Sequence, residues 1–210
     1  MTMHAAFTQF RCKWLTRFNL RIYKAWLLLF SIHQNLIMSA AAADKSKPYI
    51  PHNNISGDGW SNGEEATATC FCGAVQLAFP VQGPGLINSF ICNCTDCRKI
   101  TASAFASNFT VDDKYLKHLR GQENLKSWGQ AKTIKSGKKM TNYFCNTCGT
   151  LMYRVGEAFP GMSILRIGTV DDFSLHETKL RPEFEQFTKD RVGWLHEVEG
   201  MKHFEAMGDF

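Results

Sequence analysis

Three cysteines, Cys92, Cys94 and Cys97, stand at i, i+2 and i+5 in the stretch FICNCTDCRKI, residues 90–100. A bend followed by a helical turn brings three sulfurs at that spacing onto a single ion. A zinc ion with three protein ligands keeps an exchangeable fourth position, which is what separates catalytic from structural sites. Three thiolates on a dication leave a soft, net negative centre that suits an incoming thiol and would hold it as thiolate. Cys92, Cys94 and Cys97 are therefore the candidate catalytic residues. Two other arrangements stay open: a distant histidine (His118, His176, His196 or His203) that closes the site, or three thiols that bind no metal.

Two further pairs, Cys70/Cys72 in TCFCGAV and Cys145/Cys148 in YFCNTCGTL, each precede a glycine, Gly73 or Gly149. That glycine permits a tight turn in which backbone amides point at metal-bound sulfurs. Two such pairs make a closed tetrahedron of four cysteine sulfurs, the structural kind that contributes directly to folding. The expectation is two zinc ions per chain. The eighth cysteine, Cys12, stands apart, and an odd count of seven in the body suits metal ligation better than a disulfide framework.

The 210 residues suffice for one domain with a proper core. The net charge of +5 comes from residues 1–43, where Arg11, Lys13, Arg17, Arg21 and Lys24 face no acid; the rest holds nineteen cations against nineteen acids. A neutral body carries no electrostatic footprint for nucleic acid. Residues 1–43 read as an extension. Phe7, Phe10, Trp14, Phe18 and Ile22 recur at helical spacing among cations, as in a mitochondrial presequence, while AWLLLFSI and the small residues at 40–43 fit a secretory signal. Met38 offers a second start. The apolar run is too short to span a bilayer. Clustered thiols need a reducing compartment, so the cytoplasm is favoured and the mitochondrion second.

Residues 44–64, rich in Pro, Gly, Asn and Ser, form an irregular lead-in, with the zinc domain at 65–200 and a tail at 201–210. From Glu65 the chain offers short β-branched and aromatic runs: ATATC, AVQLAFP, GLINSFI, AFASNFTV, LKSWG, KMTNYFC, TLMYRV and MSILRIGTV. Helical periodicity supports only a single turn, after Thr95 or in DDKYLKHL. The class is mainly β.

TCFCGAVQLAF, CNCTDCRKITASAF, KMTNYFCNTCGTLMYR and FEQFTKDRVGWL, in that order, resemble the glutathione-dependent formaldehyde-activating enzyme family, also called the centromere protein V family. The resemblance covers roughly residues 65–200. It implies a single β-tent domain, several curled antiparallel sheets stapled by zinc, as in a Rab-associated chaperone protein. By it Cys70, Cys72, Cys145 and Cys148 match structural zinc ligands, and Cys92, Cys94 and Cys97 the second, catalytic site. The implied reaction adds glutathione's thiol to formaldehyde, giving S-hydroxymethylglutathione, formally a carbon–sulfur lyase activity in reverse. The alternative is a non-enzymatic zinc-stabilised binding module.

Arg98 and Lys99 are candidates for binding glutathione's carboxylates. Asp96 is expected to cap the helical turn. Arg191 and Trp194 belong to the late signature, Trp194 more as a core residue than as a pocket wall. Ser103, Phe105 and Phe109 are expected to pack or to line a cleft beside the trio.

Overall fold

The computed structural model describes residues 44–51 and 55–208. The extension at 1–43, with its targeting motifs, lies outside them. The described residues form two sheets. A three-stranded one has the order β1 (Glu65–Thr69), β2 (Gln76–Pro80), β5 (Lys117–Arg120). The larger sheet runs β11 (Lys202–Phe204), β10 (Phe184–Gln186), β3 (Leu86–Cys92), β4 (Ala106–Asp112), β9 (Met162–Arg166), β8 (Leu151–Gly156), β7 (Met140–Cys145), β6 (Leu125–Gln130). The mainly β class is as expected.

Each of the eight strand-like runs supplies a strand. Three strands escaped that reading because they are short or charged. KHLR, expected as helix, forms β5 after a single 3-10 turn at Asp113–Tyr115. FEQ and KHF form β10 and β11, the latter inside the segment set apart as a tail. The sheets are not wholly antiparallel: β10 pairs parallel with both β3 and β11. The chain reaches β10 from β9 by a long crossover that contains the short helix α2 (Ser174–Glu177), and a crossover is what parallel pairing requires.

Alternation divides the faces of the large sheet. Phe109, Val111, Leu165 and Met152 are fully buried with Val75, Leu77 and Phe79 of the small sheet's side in one apolar cluster. Phe79 and Phe109 lie 4.7 Å apart, centroid to centroid. A second, smaller cluster holds Phe90, Cys92, Cys97, Ala106 and Phe184. Phe90 stacks on Phe184 at 5.2 Å.

The helix α1 (Thr95–Thr101) is longer than the single turn expected after Thr95. It begins at Cys94, whose sulfur accepts the Cys97 amide at 3.4 Å, and ends at Ala102 in the left-handed region. The described residues of the lead-in form no helix or strand but are fastened. The Tyr49 amide donates to Asp172 Oδ1, the Tyr49 carbonyl accepts the Phe173 amide, and the Thr67 amide donates to the Trp60 carbonyl at 3.0 Å. No helix of the described residues is long and apolar enough to cross a membrane. Phe109 joins both halves of the main core, so Phe109→Ala is expected to cost about 3–5 kcal/mol, read as a lowered denaturation midpoint.

Candidate metal centres and the cleft beside them

Cys70 directly follows β1 and Cys72 lies in the turn before β2; Cys145 ends β7 and Cys148 lies in the turn before β8. Their four sulfurs lie within 4.8 Å of one another. Cys70 and Cys72 sulfurs are 3.5 Å apart, and those of Cys72 and Cys145 3.7 Å. A tetrahedron with metal–sulfur bonds of about 2.3 Å has edges of about 3.8 Å, so the quartet fits one ion with little adjustment.

The turns do what the glycines allow. Gly73 sits at φ +79° and Gly149 at φ +75°, values that any side chain would resist. The Val75 amide then donates to the Cys70 sulfur at 3.2 Å, and Asn124 Nδ2 to the Cys145 sulfur at 3.3 Å. The Thr150 hydroxyl lies 3.2 Å from the Cys148 sulfur. Despite partial burial, bonds from Thr150 and from backbone amides bring the Cys148 thiol down to about 6. Burial pushes Cys70 up to about 12. Arg120 Nε braces the first turn by donating to the Gly73 carbonyl at 2.7 Å.

Cys92, at the end of β3, and Cys94 and Cys97, at the start of α1, form the second group, again with all sulfurs within 4.8 Å. Among the described residues no fourth Cys, His, Asp or Glu joins them. His118 faces the Tyr153 hydroxyl, His176 the Val170 carbonyl and His203 the Glu185 carboxylate. Two of the four histidines weighed as a closing ligand, His118 and His203, are thus engaged elsewhere along the strands, and a third, His176, sits in α2.

The trio's surroundings were not legible in the sequence. Arg154, buried in β8, donates from Nη1 to the Cys97 sulfur at 3.2 Å. Arg166, buried in β9, lies close enough to Cys97 and Cys92 to feel their charge. Burial lowers its guanidinium to about 10, against the pull of Cys97, and it remains a cation at neutral pH. Bonds from the Cys92 and Cys94 thiols hold Cys97 well below the usual thiol range, aided by the charges of Arg154 and Arg166. The only sequence signal was a lone arginine inside each of two apolar runs, TLMYRV and MSILRIGTV.

A second support comes from β10. Asn93, fully buried between Cys92 and Cys94, donates from Nδ2 to Glu185 Oε1 at 2.7 Å and from its amide to the Gln186 carbonyl at 3.1 Å. Glu185, itself buried, also accepts from Arg191 Nη1 at 2.9 Å and meets His203 Nδ1 at 3.1 Å. Arg191 of the late signature thus acts through Glu185 on the bend that carries the trio.

Other expected positions resolve differently. Arg98 donates from Nη1 to the Asp190 carbonyl at 3.2 Å, and Lys99 is exposed. Asp96 does not cap α1; its carboxylate accepts from Thr133 and Gln130, tying the helix to the end of β6 and the turn after it, and the Cys94 sulfur takes the capping role. Trp194 is 70% exposed, not a core residue; it lies in a turn outside the strands, where alternation buries no side chain. Phe109 is in the main core, on the opposite face from the trio.

Ser103 and Phe105 do line a cleft of about 560 Å³. Its wall includes Ala106, which pairs with Cys92 across the ladder, Thr101, whose hydroxyl donates to the Cys97 carbonyl, and Gly149–Leu151 beside the quartet. Arg166 stands in the same wall; Arg98 and Lys99 do not.

Cys145→Ala opens the quartet in the core, so metal content is expected to fall by about one ion per chain and the circular-dichroism melting transition to be lost. Glu185→Ala removes a support of the ligands and not a ligand. It is expected to weaken metal binding by the trio about 10–100-fold in chelator competition, while the quartet keeps its metal.

The sequence pattern of the family described as glutathione-dependent formaldehyde-activating enzyme matches residues 65–190. Among solved structures, a Rhodobacter sphaeroides protein is 23% identical, with a TM-score of 0.40, covering 49% of this chain and 85% of that one. No curated protein matches the chain. The matched span contains all seven cysteines of both groups, both buried arginines and Glu185, and the chain belongs to the glutathione-dependent formaldehyde-activating enzyme family.

Proposed function

We propose that the protein joins the thiol of glutathione to formaldehyde, giving S-hydroxymethylglutathione, and runs the reverse carbon–sulfur lyase reaction when the adduct is in excess. The observation that carries this reading is a set of three converging sulfurs, with no fourth ligating side chain among the described residues, next to a cleft of substrate size. Zinc is the ion of choice for both groups: Cys70, Cys72, Cys145 and Cys148 hold the structural ion, and Cys92, Cys94 and Cys97 the second. When bound at the trio, zinc supplies a soft Lewis acid that favours the deprotonated form of an approaching thiol.

The remaining work belongs to the chain. A thiolate sulfur attacks the aldehyde carbon, the carbonyl electron pair moves to oxygen, and that oxygen takes up a proton. Holding both reactants in one cleft replaces a bimolecular encounter by an oriented one. Arg154, donating to the Cys97 sulfur, offsets the negative charge that three thiolates gather in a buried place. Asn93 and Glu185 keep the Cys92–Cys94 bend in one conformation, so the three sulfurs are presented together. Arg98 and Lys99, on the helix that carries Cys97, add positive charge that draws an anionic substrate inward. Thiols kept reduced favour the cytoplasm, with the mitochondrion as the second choice.

Cys94 is half-buried at a helix start, so Cys94→Ala should leave the fold standing. Glutathione binding by calorimetry is expected to disappear in that variant. In the unaltered protein, X-ray absorption at the zinc edge should count more sulfur per ion once glutathione is added. Undiminished glutathione affinity in Cys94→Ala, or an unchanged sulfur count, would defeat the reading.

A further inference from the structure

The strand register collects an unusual set of side chains on the trio's face of the large sheet. Ala106 pairs with Cys92, Asn108 two residues on pairs with Arg166, Ile164 two residues back pairs with Arg154, and Arg154 faces Asn142. Cys92, Asn108, Arg166, Arg154 and Asn142 therefore share one face, and all are buried. A buried polar stripe of this kind is stable only when its donors and acceptors are matched.

Part of the matching is visible, though Arg154 Nε and Asn142 Oδ1 find no partner. Arg166 Nη1 donates to Asn108 Oδ1, and Asn108 Nδ2 donates to the Ala106 carbonyl at 3.0 Å. Arg154 Nη1 is spent on the Cys97 sulfur. What stays unmatched on Arg166 is Nε and Nη2, both buried, on a residue only 5% exposed that stands in the wall of the cleft. These two N–H groups form one edge of the guanidinium plane, the edge that grips a carboxylate side-on through two parallel bonds. Two orphan donors on a buried cation are costly, and a ligand that supplies two oxygens removes the cost.

We propose that Arg166 is the carboxylate anchor of the cleft, its Nε–H and Nη2–H edge receiving one carboxylate of the thiol peptide. The anchor rests on the thiol-binding reading for the identity of its ligand; the guanidinium, which also lies beside the Cys97 sulfur, would grip the ligand's carboxylate oxygens and not its thiol. It makes the site select thiols that carry a carboxylate over neutral thiols of equal reactivity. Arg98, occupied by the Asp190 carbonyl, and exposed Lys99 lie outside the cleft wall and have no such geometry.

The test uses the full chain loaded with zinc and a sulfur-free probe, γ-glutamyl-alanyl-glycine, which keeps both carboxylates of glutathione. Calorimetric titration compares this probe, its glycyl ethyl ester and alanylglycine on the unaltered protein and on Arg166→Gln and Arg166→Lys. Zinc content and melting temperature are followed alongside. Saturable binding of the probe is expected, weakened about 10–100-fold by Arg166→Gln. The ester should lose affinity for the unaltered protein but not for Arg166→Gln if the glycyl carboxylate is the partner. Alanylglycine should show that same pattern if the γ-glutamyl carboxylate is.

Arg166→Lys keeps the charge without the fork. It is expected to lose most of the discrimination with zinc content unchanged, and it decides the matter should Arg166→Gln fail to fold. Probe binding that is absent from the unaltered protein, or equal in all three proteins, overturns the anchor. Glutathione binding no tighter than the sulfur-free probe would instead defeat the thiol reading, leaving the effect of Arg166 to stand.

Discussion

Four sulfurs drawn from two distant turns must meet, and the rest of the architecture is arranged around that meeting. The Cys70/Cys72 turn belongs to the small sheet and the Cys145/Cys148 turn to the large one, so the quartet joins the two sheets at one point. An ion held by the quartet would bind the folded chain and not the unfolded one, in which the two turns are far apart, so its binding free energy would add directly to folding. The apolar cluster that contains Cys70 and Cys145 then packs around a fixed centre. Positive φ at Gly73 and Gly149 is a condition of that closure, because each turn must double back before the next strand begins.

The trio meets a different physical problem. Its sulfurs are concentrated in a smaller cluster where burial and mutual repulsion oppose thiolate charge; bonds to Cys94 and Cys97, together with burial, push Cys92 upward. Arg154 and Arg166 answer with two buried cations, and Glu185 holds Asn93 in place from the other side. Positive charge thus lies toward β8 and β9, and the rigid polar anchor toward β10. The polarity of the centre follows from which strands flank it. The quartet, by contrast, is supported by neutral donors from its own turns and from Asn124.

Much of this was open to a reading of residues in order. The short-spaced cysteine groups and the mainly β class follow from spacings of a few residues and from runs of β-branched and aromatic side chains, which act locally; that the two distant pairs meet in one quartet is settled by the fold. Where that reading erred, the deciding contact came from afar. Asp96 looked like a helix cap until Thr133 and Gln130 claimed it, and KHLR forms a strand because β2 offers it an edge.

The sequence by itself determined which atoms can bind metal, because C-x-C and C-x-x-C place sulfurs within reach of one another whatever the remainder of the chain does. Only the tertiary structure decided what surrounds those sulfurs. Arg154 and Arg166 reach the trio through the register of β4, β9 and β8, and Glu185 reaches it through a parallel pairing set by a crossover. Register is fixed by side-chain packing across whole sheets, a sum over many distant pairs that no short stretch of sequence contains.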